Sequence, residues 1–369
     1  MRGDTTVDVV YSNEGGVYFA GQIVDGHVRL RVPDSQKIGG KIIFKLQFLF
    51  LTLEINLRWL GHASVSWTEG IGDDTESYSD TETYFDTKTV ILEKKPHQHG
   101  YSKLVPGVHR YPFRFQLPLD IPNSYQGFCG WVRYEVTVTV VRLWSFNISE
   151  CVPFTVISHL DLNTLPYANT KGIAQDEKIM NSLCCMPGNI TATITTDHLG
   201  YVPGGAITFT AEIHNNSNTN IHPCKAALSM KVRYHANGQN TEGTLILCKL
   251  RGPAIPRGSS CQWERQRLPI PPSPPSFLHG CKLIDIEYFV SITLKPKGLG
   301  SSLFVPLMIV IGTVPLHTAT HIIPHLEFAE NHLLKNDKSP LYPCYTFKSR
   351  RGEEAQLALH RTHIRKRVF

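Results

Sequence analysis

The sequence predicts an all-β protein in which one β domain occurs twice in tandem, and three observations support this prediction. Short runs of alternating apolar and polar residues are separated by turn-forming residues, whereas a long helical period is hard to find. A pair of sequence features recurs in the same order in both halves of the chain. The length of 369 residues suits two domains of ordinary size.

Four runs show the alternation most clearly. In each run every second side chain can enter a core while its neighbours face solvent, and β-branched and aromatic residues are frequent. The runs are Val7–Tyr11, Leu53–Trp59, Val132–Val140 and Ile190–Ile194. Turns such as Asn13-Glu-Gly-Gly and Pro203-Gly-Gly lie between the runs. Turn signals at this density between short strands indicate antiparallel sandwiches or barrels.

The internal repeat has two parts. Tyr18-Phe-Ala-Gly-Gln-Ile-Val in the first half corresponds to Tyr201-Val-Pro-Gly-Gly-Ala-Ile in the second, and each leads through a glycine turn into a strand. A proline-rich connector then precedes a strand that contains Tyr134 in the first half and Tyr288 in the second. Because the two parts keep their order, we predict two copies of one domain.

The first copy is the longer one. Its two tyrosines are 116 residues apart and those of the second copy 87, so we expect about 29 additional residues in loops. Two regions can hold them. One is Ile43–Leu53, just before a strand. The other is Glu69–Asp86, where seven acidic residues and no basic ones predict a solvated loop.

Changes in composition mark the domain boundaries. Between Leu160 and Cys184, Pro, Asn, Gly and mixed charges interrupt the alternation, as in a linker. We therefore predict a first domain over residues 5–165 and a second over residues 184–316. Beyond Leu316 the pattern fades, and residues 317–369 are predicted to form a flexible basic tail.

The net charge of +6 is concentrated at the C-terminal end. The stretch Lys348–Phe369 has seven basic and two acidic residues, so the rest of the chain is nearly neutral. A nucleic-acid binder would be more evenly basic, and we expect no nucleic-acid partner. A basic tail can contact anionic lipid or acidic proteins weakly, although a merely solvated tail explains the charge equally well. The residues concerned are Arg350, Arg351, Arg365, Lys366 and Arg367.

Cysteine usage and hydropathy predict a cytoplasmic protein. The nine cysteines follow no disulfide framework spacing, and Met1–Tyr11 lacks the cationic start and apolar core of a signal peptide. The most apolar stretch, Ile42–Leu60, is interrupted by three charged residues. A spanning helix needs about 20 apolar residues, so we do not expect one here.

We predict a protein without catalytic activity, metal or cofactor. The sequence has no Gly-x-Ser-x-Gly elbow and no glycine-rich phosphate loop. His317, His321 and His325 recur every four residues, which on a helix would permit metal ligation. However, Pro315 and Pro324 bracket this run and disfavour a helix. Surface or packing histidines are therefore the expectation.

Eight segments, in this order, resemble the α-arrestins, the arrestin domain-containing family. They span most of the chain, from about Val7 to Tyr345. The segments are Gly16-Val-Tyr-Phe-Ala-Gly-Gln-Ile-Val, Gly61-His-Ala-Ser-Val-Ser-Trp, Tyr111-Pro-Phe-Arg-Phe-Gln-Leu-Pro, Gly130-Trp-Val-Arg-Tyr, Gly200-Tyr-Val-Pro-Gly-Gly, Asp285-Ile-Glu-Tyr, Ile311-Gly-Thr-Val-Pro-Leu and Pro340-Leu-Tyr-Pro-Cys-Tyr. The resemblance implies two tandem immunoglobulin-like, arrestin-type β-sandwich domains.

The resemblance also implies a function. Such a protein is expected to be a cytoplasmic adaptor, recruited to the plasma membrane or endosomes, that links membrane-protein cargo tails to ubiquitin ligases or endocytic machinery. Family members recruit WW-domain ligases through PPxY motifs, which this chain lacks. The nearest candidate for partner binding is Pro274, Pro275, Ser276 and Phe277, with Phe in place of Tyr. Because proline is common in turns and at sheet edges, a strand connector is the favoured interpretation of this segment.

Two alternatives remain open. One branch of the family binds thioredoxin through a cysteine, and Cys224, Cys248 and Cys261 would be the candidates here. A retromer-type vacuolar-sorting subunit is similar in fold and would be a permanent member of a complex.

Overall fold

The computed structural model describes residues 5–33, 37–38, 41–42, 50–70, 74–92, 102–142, 146–180, 188–298, 301–317, 324–333 and 339–347. Within these ranges the ordered elements are 23 strands and three short 3-10 helices. The strands form two β-sandwich domains and a separate hairpin. The prediction of two tandem β-sandwich domains is therefore confirmed.

The first domain contains twelve strands. Their bounds are β1 Thr6–Tyr11, β2 Val17–Phe19, β3 Ile23–Val32, β4 Lys37–Ile38, β5 Lys41–Ile42, β6 Phe50–Glu69, β7 Glu76–Leu92, β8 Ser102–Leu104, β9 Gly107–Gln116, β10 Tyr125–Gln126, β11 Gly130–Arg142 and β12 Ile148–Ile157. One sheet has the order β1-β3-β9, and the other has the order β2-β12-β11-β6-β7 with β10 on β11 and β8 on β6. Strands β4 and β5 pair with each other.

The second domain contains nine strands. Their bounds are β13 Gly172–Met180, β14 Gly188–Thr196, β15 Gly200–Tyr201, β16 Ala206–Asn215, β17 Lys225–Ala236, β18 Gln239–Arg251, β19 Ser259–Pro269, β20 Ile284–Leu294 and β21 Leu303–Ile311. A four-stranded sheet, β13-β14-β16-β19, faces a five-stranded sheet, β15-β21-β20-β17-β18. A hairpin of β22 (Pro324–Glu330) and β23 (Leu341–Phe347) follows.

The period-two alternation determines the core. Val24, Val28 and Leu30 of β3 lie opposite Leu57 and Trp59 of β6, and all five side chains are fully buried. The second domain repeats the pattern with alternate residues of β14, β16, β17 and β20. These apolar side chains join in one large buried cluster that extends through both domains.

The structure confirms the internal repeat at atomic detail. In each domain the short strand that contains the tyrosine of the first repeated motif, Tyr18 or Tyr201, pairs in parallel with the last strand, as β2 with β12 and β15 with β21. The Tyr134 hydroxyl donates to the carbonyl of Pro122 at 2.6 Å, and the Tyr288 hydroxyl donates to the carbonyl of Pro274 at 2.7 Å. The proline-rich connectors therefore occupy equivalent places in the two domains.

The predicted solvated loop Glu69–Asp86 is wrong, because most of it belongs to β7. This strand pairs with β6 along its whole length, from the pair of Ile55 and Leu92 to the pair of Glu69 and Glu76. Tyr84 and Phe85 pack on Tyr134 with ring centroids 6.2 and 5.8 Å apart. The acidic residues are compatible with a strand because β7 lies at the edge of its sheet, where many of its side chains stay exposed to solvent. Of the other proposed insertion, residues 43–49 lie outside the described residues.

Two predicted irregular segments are also ordered. The expected linker between Leu160 and Cys184 contains two 3-10 helices, Leu162–Thr164 and Pro166–Asn169, and then β13, which extends the sheet of the second domain before the predicted start at residue 184. The tail predicted to be flexible from residue 317 instead contains the β22–β23 hairpin. Apolar side chains explain this order, since Tyr342 and Tyr345 are buried.

Candidate functional site

The two domains meet at a junction lined with tyrosines. The hydroxyl groups of Tyr125, from the first domain, and Tyr234, from the second, lie 3.0 Å apart and both side chains are buried. A Cβ at Gly127 would overlap both hydroxyl oxygens, so only glycine allows this approach. At the rim, the amide nitrogen of Lys282 donates to the Glu82 carboxylate at 2.9 Å. The junction thus combines a hydrogen-bonded interior with a polar edge.

A crevice opens beside this tyrosine pair. It encloses about 380 Å³ and is lined by Phe128 from the first domain, Leu245 from the second and Leu333 from the hairpin. The Phe128 ring lies on the backbone of Gly243, where a Cβ would overlap it, and makes an edge contact with Tyr234 at 5.2 Å. The side chain remains two-thirds exposed. The crevice is therefore largely apolar and shared by all three parts of the chain.

The linker forms a second, smaller core with the second domain and the hairpin. Leu160, Leu162, Val310 and Tyr345 belong to this buried cluster. The amide of Leu160 donates to the Thr313 hydroxyl at 2.7 Å, and the amide of Thr313 donates to the Leu160 carbonyl at 2.9 Å. These bonds attach the linker to the end of β21 and limit the freedom of one domain relative to the other.

The hairpin contacts both domains. The amide of Leu341 donates to the Thr155 hydroxyl of the first domain at 3.3 Å. Toward the second domain, the amide of Tyr345 donates to the Pro203 carbonyl at 2.8 Å, and the Asn331 side chain donates to the Pro272 carbonyl at 2.7 Å. The hairpin therefore acts as a brace that fixes the domain arrangement.

Burial of the junction tyrosines predicts a loss of stability at alkaline pH. Burial raises the pKa of Tyr125 well above 10, and burial raises the pKa of Tyr234 to about 12. Above pH 10 the unfolded chain releases protons that the folded protein keeps, so stability that is complete below pH 10 is lost as pH rises toward 12. The loss is about 1.4 kcal/mol per pH unit for each such group.

Thermal unfolding at pH 9 and pH 11 tests this prediction. We expect the melting temperature to fall less over this interval in Tyr234→Phe than in the unsubstituted protein, because Phe cannot ionise. An equal fall in the two proteins would contradict a contribution of Tyr234 to the alkaline loss, to which other buried tyrosines with a raised pKa, such as Tyr134 and Tyr288, also contribute.

The Pro274–Phe277 segment has a structural role in this conformation. Pro274, Pro275 and Ser276 are buried, and the Ser276 hydroxyl accepts a hydrogen bond from the amide of Ile311 at 2.9 Å. In the first domain the Ser124 hydroxyl accepts an equivalent bond from Val156 at 2.9 Å. The segment is thus the repeated strand connector, as favoured, and a WW domain could not reach its prolines without local opening. Its use as a partner-binding segment stays a prediction.

The candidate thioredoxin-binding cysteines are poorly suited to nucleophilic chemistry. Burial raises the pKa of Cys224 and of Cys248 to about 11, and burial also raises the pKa of Cys261. Reactive cysteines need a lowered pKa because the thiolate is the nucleophile. The Cys248 thiol instead donates to the Pro269 carbonyl at 3.1 Å. These environments weigh against the redox alternative.

Alkylation of the folded protein at pH 8 is expected to modify exposed Cys151 well before Cys224 and Cys248. With a pKa of about 11, only about one in a thousand of these two thiols is ionised at that pH. Mass spectrometry of peptides from folded and denatured samples measures the difference. Equal labelling of all three cysteines in the folded sample would contradict this prediction.

Other predicted site residues fall partly outside the described residues. The basic membrane-contact site stays a prediction, because none of its residues is described: Arg350, Arg351, Arg365, Lys366 and Arg367. His321 also lies outside the described residues. His325 lies in strand β22, which does not support a helical ligand set. In the described part of the chain, no group of three His, Cys, Asp or Glu residues is placed to hold a metal. No helix there is long and apolar enough to cross a bilayer.

Sequence reasoning missed the junction residues. Tyr234 belongs to an alternating run, Lys225–Ala236, which predicts that it is buried but not that it meets Tyr125, 109 residues earlier. Pro340-Leu-Tyr-Pro-Cys-Tyr carried a family resemblance, but apolar residues occupy both alternate sets of positions there, so alternation did not predict β23.

Comparisons with known proteins agree with this architecture. The arrestin (or S-antigen) N-terminal domain model matches residues 7–163, and the corresponding C-terminal domain model matches residues 186–316. Arrestin domain-containing protein 17 of Caenorhabditis elegans is 26% identical over 84% of this chain and 70% of its own length. Arrestin domain-containing protein 4 of Mus musculus is 29% identical over 84% and 72%. Arrestin domain-containing protein 1 of Rattus norvegicus is 30% identical, over 53% and 44%.

The first match covers the first sandwich and the second covers β14 to β21 of the second sandwich, in the same order and without overlap, while β13 lies between the two matched ranges. These matches support an adaptor role of the arrestin type. This chain therefore belongs to the α-arrestin, or arrestin domain-containing, family.

Proposed function

We propose that this protein is a trafficking adaptor that links membrane-protein cargo to ubiquitin-ligase or endocytic machinery. The observation that supports the proposal most is the braced junction. An adaptor must present two binding surfaces in a defined relation, and here the Tyr125–Tyr234 contact and the hairpin bonds hold two arrestin sandwiches together. Because the domains are already fixed relative to each other, binding of a partner does not have to offset the entropy cost of ordering them.

Two long edge strands offer places where partners can bind. Strand β7, with 17 residues, ends the large sheet of the first domain, and β18, with 13 residues, ends that of the second. An edge strand carries unpaired N–H and C=O groups, so an extended partner segment can add to the sheet. We propose that cargo tails or adaptor partners use such edges and the adjoining sheet faces.

The segment Pro274–Phe277 is a buried connector in this conformation, so it offers no ready contact for a WW-domain ligase. The 369 residues contain no PPxY motif, and a second protein that carries the motif is one route to such a ligase in this proposal. We further propose a cytoplasmic location with recruitment to the plasma membrane or endosomes.

Proximity labelling with the full chain in cultured cells tests the proposal. We expect enrichment of membrane proteins together with WW-domain ligases or endocytic proteins, and imaging should place part of the chain at the cell surface or endosomes. Enrichment of none of these classes would argue strongly against an adaptor role. A single large complex of fixed composition in size-exclusion chromatography of native extract would instead favour the vacuolar-sorting alternative.

A further inference from the structure

The outward face of the five-stranded sheet in the second domain carries exposed apolar side chains. Phe304 and Met308 on β21 are 46% and 50% exposed, and Ile246 on β18 is 54% exposed. Phe289 on β20 makes an edge contact with Phe304 at 6.0 Å. The solvent face of an antiparallel sheet is normally polar, and a contiguous apolar patch there marks an interaction site.

The strand register shows that these residues form one surface. Directly paired residues share a face of the sheet. Met308 pairs with Phe289, Phe289 with Ser229, and Ser229 with Ile246, so one row crosses four strands. The next row continues from Pro306 through Ser291. Met308, Phe289 and Phe304 therefore form one apolar cluster, and Ile246 stands across from it on the far side of Ser229.

Small residues form a recessed floor in this surface. Ser229 and Ser291 belong to the outward face, yet they are only 3% and 2% exposed; Ser229 lies between Phe289 and Ile246, and Ser291 lies between Pro306 and Ala227. Phe289 and Met308 rise along one side and Ile246 along the other. A groove with such a floor admits a narrow peptide segment, whereas a flat bilayer surface cannot reach its floor.

One end of the groove opens into a crevice. Met308 lines this crevice, which has a volume of about 170 Å³, together with Phe277, Tyr167 and Leu199. Phe277 has a positive φ of 71°, an uncommon backbone conformation for a residue other than glycine. An apolar side chain of a partner segment fits the chemistry of this lining.

The other end of the groove is cationic. Lys225 and Arg251 are directly paired across strands β17 and β18, and Lys249 pairs with Ala227, one row away. None of the three cations has an ion pair within the part of the chain that the structure describes. Like charges opposite each other destabilise a sheet, so binding of an external anion would stabilise this pair of cations.

Acidic residues balance the cations at the opposite end. Glu242 contacts Lys231 at 2.8 Å and Arg233 at 3.5 Å, and on the neighbouring strand Glu287 is paired with Lys231 and Asp285 with Arg233. The unbalanced positive charge therefore lies at one end only, and the apolar crevice lies toward the other. This polarity gives a bound segment a preferred direction.

We propose that this groove binds an extended peptide segment that has an apolar anchor residue and, a few positions away, a cluster of acidic residues. Met308 and Phe304 are four residues apart on one strand, about 13 Å. An extended segment covers that distance in about four residues, and somewhat more if it crosses the sheet diagonally. The inference rests on the proposed adaptor function and specifies the chemistry of the cargo tail that it would recognise.

Fluorescence anisotropy with the full chain tests this inference. The probe is a labelled peptide with Leu-Phe followed about five residues later by three Glu, and the matched peptide has Gln in place of each Glu. We expect the acidic peptide to bind at least about tenfold more tightly than its Gln counterpart. We also expect Met308→Ser to weaken it about fivefold or more, and Lys249→Glu likewise.

Two control variants change exposed residues of the first domain. Leu119→Ser removes a side chain that is 78% exposed, and Arg110→Glu reverses an exposed charge. Both should leave peptide affinity unchanged. All five proteins should keep their melting temperature within a few degrees, because the substituted side chains are largely exposed. Absence of binding by the unsubstituted chain up to about 1 mM peptide would overturn the inference.

Vesicles and cellular capture separate the remaining outcomes. Binding to phosphatidylserine-containing vesicles that is lost in Lys249→Glu, with peptide binding unaffected, would overturn the peptide groove in favour of a membrane-contact surface. If a Met308→Ser, Lys249→Glu double variant still labels the same cargo in cells, the groove is not the cargo site although the adaptor function stands. If the unsubstituted chain labels no membrane proteins, the adaptor proposal fails, whatever the peptide result.

Discussion

Trp59→Ala is expected to lower the free energy of unfolding by about 3–5 kcal/mol, the range for removing a large aromatic residue from a core. The Trp59 side chain has no solvent exposure. Its ring stacks on Phe115 at 4.6 Å and makes edge contacts with Phe113 at 5.4 Å and Phe154 at 6.3 Å. Both sheets of the first domain contribute these neighbours, so the cavity left by the substitution would lie between the two sheets. Chemical denaturation followed by far-ultraviolet circular dichroism measures the effect.

Two substitutions serve as controls for this loss. The indole nitrogen of Trp59 is buried and has no hydrogen-bond partner among the described residues, so Trp59→Phe removes an unsatisfied donor together with part of the ring. We expect it to cost less than about 1.5 kcal/mol. Trp131→Ala removes a partly exposed ring whose neighbours are His62 and Arg133, and its cost should be much smaller than that of Trp59→Ala. A cost for Trp131→Ala as large as for Trp59→Ala would contradict the assigned core.

The position of Trp59 illustrates what the sequence could predict. Period-two alternation placed Leu57 and Trp59 on the same inward face, and both are fully buried. The repeat placed Tyr134 and Tyr288 at equivalent positions, and both hydroxyl groups bond to a proline carbonyl of the preceding connector. The alternation along a strand and the order of repeated motifs can both be read from the sequence itself, so predicting them requires no knowledge of tertiary contacts.

Contacts between distant segments could not be predicted in this way. In β7 the acidic residues led to the prediction of a loop, although Tyr78 and Tyr84 alternate with serine and threonine as in a strand. An edge strand exposes much of both faces, so it can carry many charged residues and its sequence then resembles that of a loop. The docking groove depends on register across four strands. Ser229 and Ser291 become its floor only through their pairing with Phe289 and Ala227.

Gly204→Ala is expected to detach the β22–β23 hairpin. Gly204 has a positive φ of 86°, and a Cβ there would overlap the backbone oxygen and nitrogen of Tyr345. That overlap is with main chain, so a side-chain rotation cannot relieve it, and the bond from the Tyr345 amide to Pro203 would be lost. Hydrogen exchange measured by mass spectrometry should show strong loss of protection in both strands of the hairpin, with a melting temperature several degrees lower.

Gly238→Ala is the matched control, because Gly238 also has a positive φ, 77°, but has nothing within 4 Å of the added Cβ. This substitution should lower the free energy of unfolding only by the cost of placing alanine in a left-handed conformation, about 1–2 kcal/mol, and the hairpin should stay protected from hydrogen exchange. Unchanged hairpin protection in Gly204→Ala would contradict the docked position. Most of the buried core lies in the two sandwiches and not in the hairpin, so both domains should stay folded in this variant. Weaker cargo capture by folded Gly204→Ala would then show that the adaptor needs a fixed angle between its domains and not merely two sandwiches on one chain.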